Sequence, residues 1–118
     1  MFYSLLKRGA HVNAQRENRT TALMVAAMNN QTEFLVALIA KGARVNAKNT
    51  FGNTALMYAA DGHVEMVRWL LIAGANVNAK NESGWTALMF ATKSAYAQQP
   101  NYQRIIQMLT DAKAKKRL

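Results

Sequence analysis

Apolar positions along this chain come in short blocks that recur at a fixed interval. Ala22-Leu-Met-Val-Ala-Ala-Met28, Ala55-Leu-Met-Tyr-Ala-Ala60 and Ala87-Leu-Met-Phe-Ala91 are three versions of one phrase, spaced 55 − 22 = 33 and 87 − 55 = 32 residues apart. A threonine precedes each block, at Thr21, Thr54 and Thr86. A hydroxyl there can accept a hydrogen bond from an orphan amide of the first helical turn. The blocks are rich in good helix formers, and their small alanines permit close helix approach. A polar break follows, Asn29-Asn30-Gln31 in one unit and Asp61-Gly62-His63 in the next. A second apolar stretch then runs from about 33 to 41 and from about 64 to 73. In the latter, Met66, Val67, Leu70 and Leu71 form one helical stripe. Gly42 and Gly74 stop these helices.

A second phrase keeps the same step: Gly9-Ala-His-Val-Asn-Ala14, Gly42-Ala-Arg-Val-Asn-Ala47 and Gly74-Ala-Asn-Val-Asn-Ala79. Two phrases sharing one period, with the same one-residue slip, define a repeat array. One unit is too small to hide two helices. Stacked units bury their apolar faces against each other, which predicts an all-α solenoid of helix-turn-helix units joined by turn-rich fingers. The units run over residues 16–48, 49–80 and 81–118, after a half unit at 1–15. The second lacks one residue between its helices, which shortens the first helix or its turn. The third carries six extra residues around Lys93 to Tyr102, read as a longer loop broken by Pro100, with the last helix from about Gln103. Thr110 and Asp111 replace apolar residues there, as suits a solvent-facing cap, and Lys113 replaces the glycine. Residues 1–8 read as the second helix of a preceding unit, with Phe2, Leu5 and Leu6 lacking their usual flanking helix. Either upstream repeats are missing or this end is natively short.

The phrase from Asn49 through Gly52, Thr54, Gly62-His63, Glu65, Leu70-Leu71 and Gly74 to Ala79 resembles the ankyrin repeat family nearly throughout. The resemblance covers almost the whole chain. It implies an all-α ankyrin-repeat solenoid of about three full repeats plus an N-terminal half repeat. Ala22, Ala55 and Ala87 replace the family proline, and Met24, Met57 and Met89 replace the family histidine, a pattern similar to bacterial ankyrin repeats. Arg19 stands where Gly52 and Gly84 occupy the later turns, so the first turn is expected to differ.

Composition narrows the chemistry. The chain has 118 residues and no cysteine, which removes disulfide scaffolds, thiol catalysis and cysteine-ligated metal sites. No apolar run reaches the ~18 residues of a membrane span, and no signal peptide is visible. The compartment stays open, with cytoplasm the default and periplasm compatible. Asp61-Gly-His63-Val-Glu65 could be mistaken for a metal cluster, but the resemblance assigns Gly62-His63 to the ordinary inter-helix turn. His11 reads as a variable turn residue. The six acids show no catalytic pairing, and Glu33 and Glu65 suit the positive ends of second helices. No phosphate loop is present. The sequons at Asn18, Asn30 and Asn81 are short and weak signals. Neither a catalytic residue nor a cofactor or metal is expected.

The resemblance implies a non-enzymatic protein-binding module whose partner meets the turn tips and the first-helix face. Carried over residue by residue, that face comprises Glu17, Asn18, Thr20, Met28 and Asn29, then Thr50, Phe51, Asn53 and Asp61, then Glu82, Ser83, Trp85, Lys93 and Ser94. Gln15, Lys48 and Lys80 join at the turn bases. Phe51 and Trp85 are the anchor candidates, because aromatics are enriched at interfaces, although Trp85 could instead pack on a neighbouring turn. Val25, Tyr58 and Phe90 read either as packing between repeats or as a concave aromatic strip. The Met24, Met57 and Met89 series reads as a core ladder. The insertion from Tyr96 to Tyr102 is a further candidate. The net charge of +9 favours an acidic protein partner. A bacterial inhibitor or protective partner of an enzyme fits by analogy. Nucleic-acid binding is the alternative, though no reader motif accompanies the charge, four units of which come from Lys113, Lys115, Lys116 and Arg117. The expected state is a monomer, unless the half repeat self-associates.

Overall fold

The structure is a computed structural model that describes residues 12–116. The helix expected over residues 1–8, the turn at His11 and the tail residue Arg117 lie outside the described residues. Among the described residues, six α-helices follow a 3-10 turn at Glu17–Arg19: α1 (Ala22–Met28), α2 (Thr32–Ala40), α3 (Ala55–Ala59), α4 (Val64–Ile72), α5 (Ala87–Thr92) and α6 (Pro100–Lys116).

The threonines act as expected. Thr21, Thr54 and Thr86 accept from the backbone amides of Met24, Met57 and Met89 at 3.3, 3.4 and 3.3 Å. Each such cap contributes about 1 kcal/mol. Helices this short do not persist alone, so packing must hold them. Each of α1, α3 and α5 packs against its own successor, and the three stack on one another as one layer. The helices α2, α4 and α6 stack as the second layer. Ala26, Ala27, Ala59, Ala60 and Ala91 are fully buried, which lets the helices approach closely. Leu23, Leu35, Leu38, Leu56, Met66, Leu70, Ile105 and Leu109 fill the space between the layers. Met24 and Met57 are buried rungs of the methionine series, and Met89 is half-buried. The missing residue in the second unit shows as a five-residue α3 against a seven-residue α1.

Asparagines clamp the connectors. Asn13 Oδ1 accepts from Arg44 N at 2.7 Å while its Nδ2 donates to Gly42 O at 3.3 Å. Asn46 repeats this with Asn76 N at 2.7 Å and Gly74 O at 3.2 Å. The series then stops, because α6 runs through Lys113 to Lys116 with no glycine turn.

One expectation needs correction. Pro100 does not break the loop; it opens α6, three residues before the expected start. A proline lacks only an N–H that would be orphaned at the first helical position, and its fixed φ already suits the helix. The first turn differs, as Arg19 led one to expect, without avoiding the positive φ. Arg19 adopts φ 60° and Asn18 φ 61°, where the later turns place single glycines, Gly52 at 77° and Gly84 at 79°. Thr110 and Asp111 are exposed, as a cap requires.

Candidate functional site

Three fingers project beside the first-helix layer, each closed by a backbone bond: Arg16 N to Thr20 O (2.8 Å), Asn49 N to Asn53 O (3.1 Å) and Asn81 N to Trp85 O (2.9 Å). Neighbouring fingers join through Thr50 N to Asn18 O (2.8 Å) and Glu82 N to Phe51 O (3.0 Å). In the second finger, Asn49 Oδ1 accepts from Phe51 N and Asn53 N, both at 3.0 Å. In the third, Asn81 Oδ1 accepts from Ser83 N and Trp85 N, both at 2.9 Å. Arg16 holds this position in the first finger and offers no acceptor, which is why that finger turns differently.

The asparagine amides then reach toward the helices. Asn49 Nδ2 donates to Tyr58 Oη at 2.7 Å, and Asn53 Nδ2 to the same oxygen at 3.2 Å. Asn81 Nδ2 donates to Asn53 Oδ1 at 2.9 Å. Beside this network lies a groove of about 370 Å³. It is lined by Met28, Asn53, Tyr58, Asp61, Trp85, Phe90, Lys93 and Ser94, eight of the candidates named from the sequence, together with Met57 and His63.

Phe51, Lys48 and Lys80 lie elsewhere. Phe51 is at a finger tip, 56% exposed. Lys48 and Lys80 sit at the finger bases, where Lys48 Nζ donates to Lys80 O at 2.9 Å. Of the wider set, Gln15, Glu17, Asn18, Asn29, Thr50, Glu82 and Ser83 are exposed, and Thr20 is half-buried. Trp85 is no free-standing tip residue. It is half-buried and packs edge-on against Phe90, with centroids 5.1 Å apart. Val25, Tyr58 and Phe90 are all half-buried. Tyr58 and Phe90 pack on the core and line the groove at once, whereas Val25 does not line it.

The insertion divides. Tyr96 is exposed, whereas Tyr102 is buried at 6% exposure. Tyr102 Oη donates to Asp61 Oδ1 at 2.6 Å, and Asn101 Nδ2 donates to Gly62 O at 3.1 Å, so the insertion grips the preceding inter-helix turn. Burial pushes the Tyr102 phenol above its ordinary pKa, and the bond to Asp61 adds to the rise. Burial draws the His63 imidazole below its ordinary value, opposed by Asp61. Sequence reasoning named Tyr102 only as the end of the candidate insertion and did not single out Asn49 or Asn81. The two asparagines sit at equivalent repeat positions, which was the available signal.

Among the described residues no three His, Asp or Glu side chains gather to hold a metal ion. Glu65 pairs with Arg68 at 2.8 Å. No described helix is long and apolar enough to cross a membrane. A second groove, of about 550 Å³, lies between α4 and α6 and contains none of the candidate residues.

A family model for ankyrin repeats in three copies matches residues 1–81, and one for ankyrin repeats in many copies matches residues 57–110. The chain belongs to the ankyrin repeat family. No curated protein matches it. Ankyrin repeats are in general protein–protein interaction modules. In this ankyrin protein the two helix layers fix the fingers, and the fingers, α1, α3, α5 and the turns after α3 and α5 together shape the groove.

Proposed function

We propose that this ankyrin repeat protein binds a partner protein, without catalysis, through the groove and the finger tips beside it. The gathering of Tyr58, Trp85, Phe90, Met28 and Lys93 in one concavity carries this reading. Aromatic side chains give large contact area at small entropic cost, and fingers locked by hydrogen bonds lose little further freedom on binding. The finer reading is a cover over the surface of an enzyme, as inhibitor or protective partner. The basic charge favours an acidic face on that partner.

A photo-crosslinking residue placed at Phe51 or Lys93 should capture the same partner, and one at Gln107 on α6 should not. Phe51→Ala should then weaken that complex about tenfold with far-UV circular dichroism unchanged. Equal capture from Gln107, or full affinity in Phe51→Ala and Lys93→Ala together, refutes this face.

A further inference from the structure

The polarity of the network around Tyr58 is set by the backbone. Asn49 Oδ1 receives two amide N–H groups, and so does Asn81 Oδ1. Turning either side-chain amide over would aim its NH2 at two donors, so neither can flip. Asn81 must therefore present Nδ2 to Asn53 Oδ1, which in turn commits Asn53 Nδ2 to Tyr58. Asn49 Nδ2 is committed to Tyr58 as well. The phenol oxygen thus accepts two bonds, which uses its acceptor capacity, and its one proton is left to donate. Among the described residues that proton has no acceptor. Lys93 lines the same groove, is exposed, and makes no ion pair with any described residue. The acid that lines the groove, Asp61, has one carboxylate oxygen already taken by Tyr102.

We infer that the groove receives a carboxylate side chain, Asp or Glu, of a protein partner, with the Tyr58 hydroxyl donating to it and Lys93 balancing its charge. This rests on the groove being the binding face. A neutral carbonyl would satisfy the hydroxyl but leave the lysine unmatched. The chain's charge of +9 favours an anionic group in the same place.

The test pans a phage-displayed library of random linear peptides on the full chain. Selected peptides should share an Asp or Glu at a fixed position. Calorimetry should then show that Tyr58→Phe weakens such a peptide about tenfold or more, as loss of a hydrogen bond to a charged group does. The peptide's own Glu→Gln change should cost clearly more in the wild type than in Tyr58→Phe, where only the share of Lys93 remains to be lost. That double-mutant cycle reports coupling even if Tyr58→Phe is less stable. Peptides that lose affinity with Trp85→Ala and Phe90→Leu but show no acidic preference would overturn the carboxylate and leave the groove standing. Peptides indifferent to those two variants would overturn the groove. Competition by a single-stranded oligonucleotide, dependent on Tyr58 and stronger than any peptide, would replace the carboxylate by phosphate and overturn the proposal.

Discussion

Alanine at Gly52 and alanine at Gly84 pose the same backbone problem in different surroundings. The two glycines have nearly equal φ, 77° and 79°, at equivalent finger positions. A Cβ at Gly84 meets nothing within 4 Å. Its cost is the left-handed conformation, roughly 1–2 kcal/mol, less about 0.4–1 kcal/mol returned by the stiffer unfolded chain. The net loss is about 1 kcal/mol. A Cβ at Gly52 falls 2.8 Å from Glu82 N, 3.0 Å from Asn81 Cα and 3.1 Å from Asn81 C. These are backbone atoms of the next finger, well inside the ~3.5–4 Å of comfortable contact, so that finger must move away. The bonds in its path are Glu82 N to Phe51 O at 3.0 Å and Asn81 to Asn53 at 2.9 Å. Losing them adds about 1 kcal/mol each, which brings Gly52→Ala to about 3 kcal/mol. Urea denaturation followed by circular dichroism measures both. With a slope of ~1–3 kcal/mol per molar, the two midpoints should differ by about 1 M. Midpoints that fall equally would refute the claim that the fingers are in direct backbone contact at Gly52.

Further expectations follow from the insertion and the inter-helix turn. Tyr102→Phe should lose about 1 kcal/mol and should also remove an alkaline sensitivity. The folded phenol titrates above its unfolded value, so its contribution is intact below pH 10, the unfolded value, and lost as pH rises through the folded one. A wild-type protein as stable at pH 11 as at pH 9, relative to Tyr102→Phe, would contradict this. His63 runs the opposite way. Its folded value lies below 6.5, so the neutral ring's contribution is present above that pH and lost as pH falls through the folded value. The NMR titration of the His63 ring should have its midpoint below 6.5 and move lower still in Asp61→Asn; a midpoint above 6.5 would reverse the assignment of burial as the larger cause.

The repeating features were legible because repetition corrects local ambiguity. Three threonines in step fix three helix starts, and the ends of α2 and α4 fall within one or two residues of their glycine signals. Eight residues named from their repeat positions line one groove. What failed was unrepeated. Pro100 reads as a breaker by propensity, yet it starts a helix held in place by Tyr102 and Asn101 on a turn some forty residues earlier. No local pattern encodes that contact. Trp85 has a turn-tip position in the sequence, but its ring packs on Phe90 five residues later, a geometry that only the finger's closure produces. Arg19 could be marked as strained without revealing that Asn18 would share the left-handed turn.

The links between repeats are not placed alike. Between the first and second, Asn46 and Lys48 make exposed bonds at the connectors. Between the second and third, Asn53 with Asn81, Gly62 with Asn101 and Asp61 with Tyr102 are partly shielded from water and border the groove. In a linear array, stability spreads through nearest-neighbour couplings. The second and third repeats are therefore stitched together within the groove's own wall, so a partner seated there bears directly on the seam between them and, through Met28, on the first repeat as well.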